Sequence, residues 1–165
     1  MASIRRVRAD EWEALRDLRL SALAGAPNAF GTTLALARER SDAEWQEAAR
    51  RGEGTDAWVT FVAEEDGALV GMASGIRENE VYELIQMWVE PRARRRSVGT
   101  ALCEAVIDWA RERRAPFVRL AVNPDEPGAV ALYRSLGFVD TGQREPDQFE
   151  GRDGLAMVME RRLAP

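Results

Sequence analysis

The stretch 58–89 constrains the fold more than any other part of the chain. Residues 58–64 are rich in β-branched and aromatic side chains, Asp66-Gly67 follows, and 69–76 is again largely apolar. Asp-Gly between two such runs marks a tight hairpin, because both turn positions need left-handed backbone that these residues tolerate. Residues 81–89 predict a third strand, closed by Pro91. The period then changes: Val98, Leu102, Ala105 and Trp109 recur at helical spacing. Arg111, Arg113 and Arg114 lie near the end of that helix, where the macrodipole favours cations. A strand over 117–122, a short helix over 128–135 stopping at Leu136-Gly137, and late strands over 138–141 and 155–160 complete the second half. Ahead of the hairpin, Asp10 is placed to cap a helix with Trp12, Leu15, Leu18 and Ala22 on one stripe, broken by Gly25-Ala26-Pro27-Asn28. A second helix follows Ser41-Asp42 and ends near Gly52. Helices, then a meander, then strand–helix–strand–helix–strand predict an α+β fold with a mixed sheet. The 165 residues carry no repeat or linker, which suits one domain over 1–165.

Composition matters mainly through what is missing. There is no histidine, so a general base must be a carboxylate, a tyrosine, a thiolate or a water held by one of these. There is no lysine: all 23 basic residues are arginine, which excludes a P-loop lysine and a Schiff base. The single cysteine, Cys103, allows no internal disulfide and fits a reducing compartment. Its place inside a helix reads as a small buried apolar residue. One cysteine and carboxylates make a poor zinc set, so no metal is expected. No apolar run reaches membrane-spanning length, and no apolar segment follows the first six residues, so a cytoplasmic protein is expected. A net charge of −5 leans away from nucleic acid and towards a cationic partner.

The segment 89–100 joins a strand to a helix N-terminus. The first amides of a helix have no internal acceptor and carry partial positive charge, and small residues let a phosphate approach the backbone. Arg92, Arg94, Arg95 and Arg96 surround this turn and can meet an anion directly. Taken alone, the turn has three readings: an ordinary basic loop, a nucleic-acid patch, or a seat for a phosphorylated cofactor. The overall negative charge and the absence of interleaved aromatics weaken the second.

Two motifs in order separate these readings. Val89-x-Pro91 followed by Arg94-Arg95-Arg96-Ser97-Val98-Gly99 resembles the V-x-P…[Q/R]-x-x-G-x-[G/A] signature of the GNAT superfamily of N-acetyltransferases. Downstream, Glu126-Pro127-Gly128-Ala129-Val130-Ala131-Leu132-Tyr133-Arg134-Ser135-Leu136-Gly137-Phe138 is similar to that family's N-x-x-A-x-x-L-Y-x-x-x-G-F. Leu18-Arg19-Leu20 and Ala29-Phe30-Gly31 resemble one bacterial branch. The resemblance covers about 58–138. It implies a mixed, mostly antiparallel central sheet flanked by helices, and acetyl-CoA as cosubstrate. The amides of Arg95, Arg96, Ser97, Val98, Gly99 and Thr100, with Arg94 beside them, would cradle the pyrophosphate. Met87, Trp88 and Val89 would pair with the pantetheine amides like an added strand, and one N–H there would polarise the thioester carbonyl. Two residues depart from the family. Ser97 replaces Gly, at a cost of roughly 1–2 kcal/mol if the position is left-handed. Glu126 replaces Asn and cannot donate as an amide does, leaving nearby Asn123 as the substitute.

Attack by an amine on a thioester calls for a base, an oxyanion donor and, optionally, an acid for the leaving thiolate. Glu83 is the expected base and an acceptor-site residue, with the strand period placing Glu83, Ile85, Met87 and Val89 on one face. Its alternative is a solvated glutamate near a strand start. Tyr133, where the family places its catalytic tyrosine, is the expected acid, with simple packing beside Leu132, Leu136 and Phe138 as the alternative. Phe30 is placed in the acceptor pocket by family analogy. The expected function is transfer of an acetyl group to a primary amine of a small molecule or peptide, without nucleic acid or membrane. Family resemblance also allows a homodimer through the late strands. Another short acyl group, or an acyl-CoA sensor without turnover, are the competing readings.

Overall fold

In a computed structural model, the structure describes residues 2–27, 32–146 and 154–164. The hairpin forms as its turn chemistry requires: β2 (Trp58–Glu65) and β3 (Ala68–Glu78) are joined by Asp66 at φ 53° and Gly67 at φ 78°. β4 (Val81–Val89) continues the meander, and β5 (Phe117–Val122), β6 (Val139–Pro146) and β7 (Leu155–Arg162) follow. A short N-terminal strand that the sequence pattern does not announce, β1 (Ser3–Arg6), pairs with β2. The seven-stranded sheet runs β1-β2-β3-β4-β5-β7-β6. Every neighbouring pair is antiparallel except β4 and β5, which are parallel because a helix, α4 (Val98–Glu112), carries the chain across.

Helices α1 (Trp12–Gly25), α2 (Leu34–Arg38) and α3 (Asp42–Gly52) precede the meander, and α5 (Pro127–Ser135) follows β5. α2 was not expected; Thr33 starts it by accepting the Leu36 amide at 3.1 Å. Ser41 caps α3 in a reciprocal box: its hydroxyl accepts from the Glu44 amide at 3.2 Å, and the Glu44 carboxylate accepts from the Ser41 amide at 2.7 Å. Asp10 is not the cap expected for α1. A 3₁₀ turn at Ala9–Glu11 leads into the helix, and the Glu11 carboxylate takes the Arg8 amide at 2.7 Å and the Arg5 guanidinium. The longer carboxylate reaches back across the turn while Asp10 stays exposed.

Two apolar layers cover the sheet. Along β2, Val59 and Ala63 turn to the α4 side and Val62 to the α1/α3 side, as the two-residue period demands. The α4 layer includes Leu102, Ile107, Trp109, Leu120, Phe138 and Met159, with α5 contributing Val130 and Tyr133. Trp109 lies flat enough to reach β3 because position 75 is glycine: a Cβ there would be 2.9 Å from the indole. Ala105, expected inward with Val98, Leu102 and Trp109, is only half-buried; Val106 and Ala110 take that side. Leu15, Leu18, Leu23, Trp45, Met72 and Trp88 fill the other layer. Among the described residues, no helix is long and apolar enough to cross a membrane.

Candidate active site

The site begins with a defect in β4. Trp88 pairs with Met72 on β3, but Ser74 pairs with Ile85, so Gln86 and Met87 together oppose Ala73. This β-bulge puts Gln86 at φ 57° and resets the side-chain alternation. Glu83, Ile85, Met87 and Val89 therefore do not share a face, as the plain strand period suggested. Tyr82 and Leu84 face α4, as do Met87 and Val89 beyond the bulge; Glu83 and Ile85 face the opposite side. Trp88 is core on the α1/α3 side, opposite Met87.

The bulge coincides with a split. β4 and β5 pair only at Tyr82↔Val118 and Glu83↔Arg119. Beyond these rungs β4 continues to Val89 and β5 to Val122, with no strand between them. Parallel strands that part in this way leave a wedge open towards their C-terminal ends. Three elements converge at its mouth: a Cβ on Gly99 at the start of α4 would lie 3.3 Å from Leu132 of α5 and 3.9 Å from the Met87 sulfur of β4.

At that mouth the α4 turn exposes its backbone. None of the amides from Arg95 to Thr100 has an acceptor among the described residues. Arg95 (φ 65°) and Ser97 (φ 62°) both adopt left-handed backbone, which aims the successive N–H groups to a common side. Ser97 makes no side-chain cap, so it carries the strain anticipated for a non-glycine here. The neighbouring arginines mostly serve the fold. Arg92 pairs with Glu90 at 2.7 Å, Arg94 donates to the Val89 carbonyl at 2.8 Å, and Arg96 pairs with Glu65 at 3.0 Å. Arg111 binds Asp108, and Arg113 donates to the Trp109 carbonyl at 3.1 Å, so these side chains do not form an open basic patch.

Glu83 stands at the last closed rung. Burial pushes its carboxyl above the usual carboxylate range, and Glu145 adds to the shift while Arg119 opposes it. Arg119 itself pairs with Glu160 at 3.3 Å on its other side, so Glu83 is not locked into an ion pair. Arg119, Glu145 and Glu160 carried no sequence signal; strand register alone assembles them. Tyr133 is buried edge-on against Phe138, ring centroids 6.0 Å apart, and burial raises its phenol pKa well above the ordinary value. Cys103 is fully buried with its thiol pushed up to about 12, as suits a packing residue. The Asn123 side chain accepts the Asp125 amide at 2.9 Å, and its carbonyl accepts the Glu126 amide at 3.0 Å. Asn123 and Glu126 thus build the turn before α5. Phe30 lies outside the described residues.

Gln86 was also missed. It ends a chain of buried polar groups crossing three strands: Trp58 Nε1 donates to Thr60 Oγ1 at 3.1 Å, Thr60 and Ser74 hydroxyls are 2.8 Å apart, and Ser74 donates to Gln86 Oε1 at 3.0 Å. With Ser74 donating to Gln86, Thr60 donates to Ser74, and every hydrogen in the chain is used. The reversed amide would strand the Thr60 hydroxyl hydrogen in a residue only 3% exposed. The Gln86 NH₂ is therefore directed away from the sheet.

The comparisons agree with this architecture. The model of a family described as "Acetyltransferase (GNAT) family" matches residues 12–138. An N-acetyltransferase of Methanocaldococcus jannaschii is 36% identical over 85 residues, covering 47% of this chain and 38% of its own. The L-2,4-diaminobutyric acid acetyltransferase of Nocardia farcinica is 30% identical over 81 residues, covering 47% and 42%. The matched stretch thus spans less than half of either relative. The crystal structure of a ribosomal-protein-alanine N-acetyltransferase from Brucella melitensis superposes with a TM-score of 0.77 at 27% identity, covering 98% of this chain and 99% of that one.

Proposed function

Because the chain belongs to the acetyltransferase (GNAT) family, we propose that it moves an acetyl group from acetyl-CoA to a primary amine of a small molecule or peptide, by direct attack. The observation that carries this reading is the wedge between β4 and β5, opening onto the acceptor-less amides of the α4 turn. Similar proteins are named for both acceptor kinds, L-2,4-diaminobutyric acid and a ribosomal-protein alanine, which supports an amine of either class as the acceptor.

In this reading the amides of Arg95, Arg96, Ser97, Val98, Gly99 and Thr100 hold the pyrophosphate, with Arg94 bracing the turn against β4. The unpaired edge of β4 at Met87, Trp88 and Val89 receives the pantetheine amides. A β4 amide meets the thioester oxygen as charge develops on it. Glu83, whose raised pKa improves it as a base, takes the proton from the attacking amine directly or through water. The nitrogen bonds to the carbonyl carbon, the carbon–sulfur bond breaks, and the sulfur leaves with its electron pair. Tyr133, held protonated by burial, hydrogen-bonds to that sulfur as negative charge develops on it, and any proton it passes to the thiolate is returned to the phenolate from solvent. Asn123 keeps the loop before α5 in place beside the wedge.

Thermal unfolding with and without acetyl-CoA tests the proposal, followed by amine-dependent thiol release. Ligand at about 100 Kd stabilises by roughly 2.7 kcal/mol and should raise Tm by a few degrees. A shift together with thiol release on adding amines is expected. A folded protein with no shift overturns the reading; a shift without turnover of any amine leaves an acyl-CoA sensor.

A further inference from the structure

A cleft of about 490 Å³ lies where α3 meets the ends of β2 and β3, a volume within the range of small-molecule sites. Trp58 and Ile76 form its sheet side, and α3 supplies Arg51 as a wall. Trp58 stands directly opposite Ile76 across β2 and β3, and Ile76 directly opposite Glu83 across β3 and β4. Residues opposite one another on paired strands share a face, so Trp58, Ile76 and Glu83 form one row on the α1/α3 side. All three are only partly buried among the described residues. Neighbouring strands lie about 4.8 Å apart, which puts Trp58 about 10 Å from Glu83 along the row. The cleft is thus the far end of a surface whose near end is the carboxylate proposed as the base.

The far end is held in place. Trp58 Nε1 donates to Thr60, and Arg51 stacks 4.0 Å from the indole centroid. A ring already fixed in this way loses little freedom when a ligand packs on it. The rim is charged but largely engaged with itself: Glu47 accepts from Arg50 at 2.6 Å, and Arg77 pairs with Glu80 at 3.0 Å. Glu78 adds a carboxylate at the rim. What Ile76 and Trp58 offer beneath that rim is apolar contact. An amine whose proton Glu83 takes has its nitrogen at the near end of the row, so whatever it carries across β3 meets Ile76 first and then Trp58.

Resting on the acyl transfer proposed above, we infer that this cleft receives an apolar part of the acceptor, which is a primary amine carrying a neutral apolar group about 10 Å from its nitrogen, against Ile76 and Trp58.

The test is thiol release from acetyl-CoA with matched amines. Octylamine, whose extended chain spans about 10 Å at C–C bonds of about 1.5 Å, is set against propylamine, 1,8-diaminooctane and 8-aminooctanoate. Gly-Gly-Leu amide is set against Gly-Gly-Ser amide, because the third residue of an extended peptide points to the same side as the first and lies about 7 Å further on. The apolar member should win in at least one set by tenfold or more in kcat/KM, through KM, since a fully covered methylene is worth about fourfold. The set in which it wins tells a free amine from a peptide N-terminus. Ala57→Trp fills the cleft from an exposed position, and Ile76→Ser removes apolar surface from its sheet side; each should bring the winning ratio towards one. Preference for the diamine, which Glu47 and Glu78 would favour, or for the carboxylate, which Arg51 would favour, overturns the inference. So does the absence of an apolar preference in both sets, or a ratio unchanged in both variants. Turnover of none of these amines, by protein that acetyl-CoA still stabilises, also overturns it. Absence of the acetyl-CoA Tm shift itself instead removes the acyl-transfer reading, and the acceptor site with it.

Discussion

The two faces of the sheet are built to different rules. On the α4 face the buried contacts are almost wholly apolar: Trp109 edge-on to Tyr82 at 5.6 Å, with Leu102, Ile107 and Phe138 closing the layer. The α1/α3 face also has an apolar layer, yet Thr60, Ser74, Gln86 and Arg19 are set into it. Polar groups in a core cost stability unless each finds a partner, so a chain that folds well places few of them. Their concentration on one face, beside a bulge and a split, sets a polar layer against an almost wholly apolar one.

Three substitutions probe that separation. The largest effect is expected from Trp109→Ala, which leaves a void against Gly75 and Val106 and should cost about 3–5 kcal/mol, read by denaturant or thermal unfolding. A cost under about 1 kcal/mol would show that the α4 face is not the main source of stability.

Glu83→Gln should do the reverse, lowering kcat about 10²–10⁴-fold at neutral pH without loss of stability. The sign follows from linkage. A carboxyl with a raised folded-state pKa binds its proton more tightly in the folded protein. Its favourable contribution is present at low pH and is lost as pH rises from the ordinary carboxylate range through the raised value. Glutamine removes that loss, so the variant should melt at or above the wild-type temperature at neutral pH. The acid limb of the kcat/KM profile should vanish with it. Near-normal turnover, or a lower Tm, would break the division of labour at this residue.

Ser97→Gly is the smallest probe. Relief of left-handed strain, offset by glycine's greater unfolded freedom, should leave a gain of about 1 kcal/mol, or roughly 2–4 °C in Tm. A lower Tm would mean that the serine hydroxyl supports the turn.

Much of this fold is legible in the residues. Asp66-Gly67 determines the hairpin, the Val98–Trp109 stripe determines α4, and Pro91 with Gly99 frames the turn between strand and helix. The legible features share one property: they are set by neighbours close in the chain. β1 escapes because Ser3-Ile4-Arg5-Arg6 shows no apolar alternation and is a strand only through its pairing with β2. The bulge escapes for the same kind of reason. Nothing in Leu84-Ile85-Gln86-Met87 announces a positive φ at a glutamine; the mismatch with β3 imposes it. That one hidden residue misdirects the assignment of faces along β4, which is why Glu83 is wrongly aligned with Met87. Arg19 enters the sequence only as part of Leu18-Arg19-Leu20; that it is buried beside a cavity shared with Arg40 and Gln86 is set by the fold.

The two-rung junction between β4 and β5 also gives the molecule a mechanical character. β1 to β4 form one plate joined by longer ladders and β5 to β7 another, and a seam only two residues long joins them. Flexing about such a seam strains fewer hydrogen bonds than bending either plate, so it is expected to be the softest motion of the sheet. A guest lying along the free edge of β4 would act as a splint across the seam, and the stiffness of the whole sheet would then depend on whether that guest is in place.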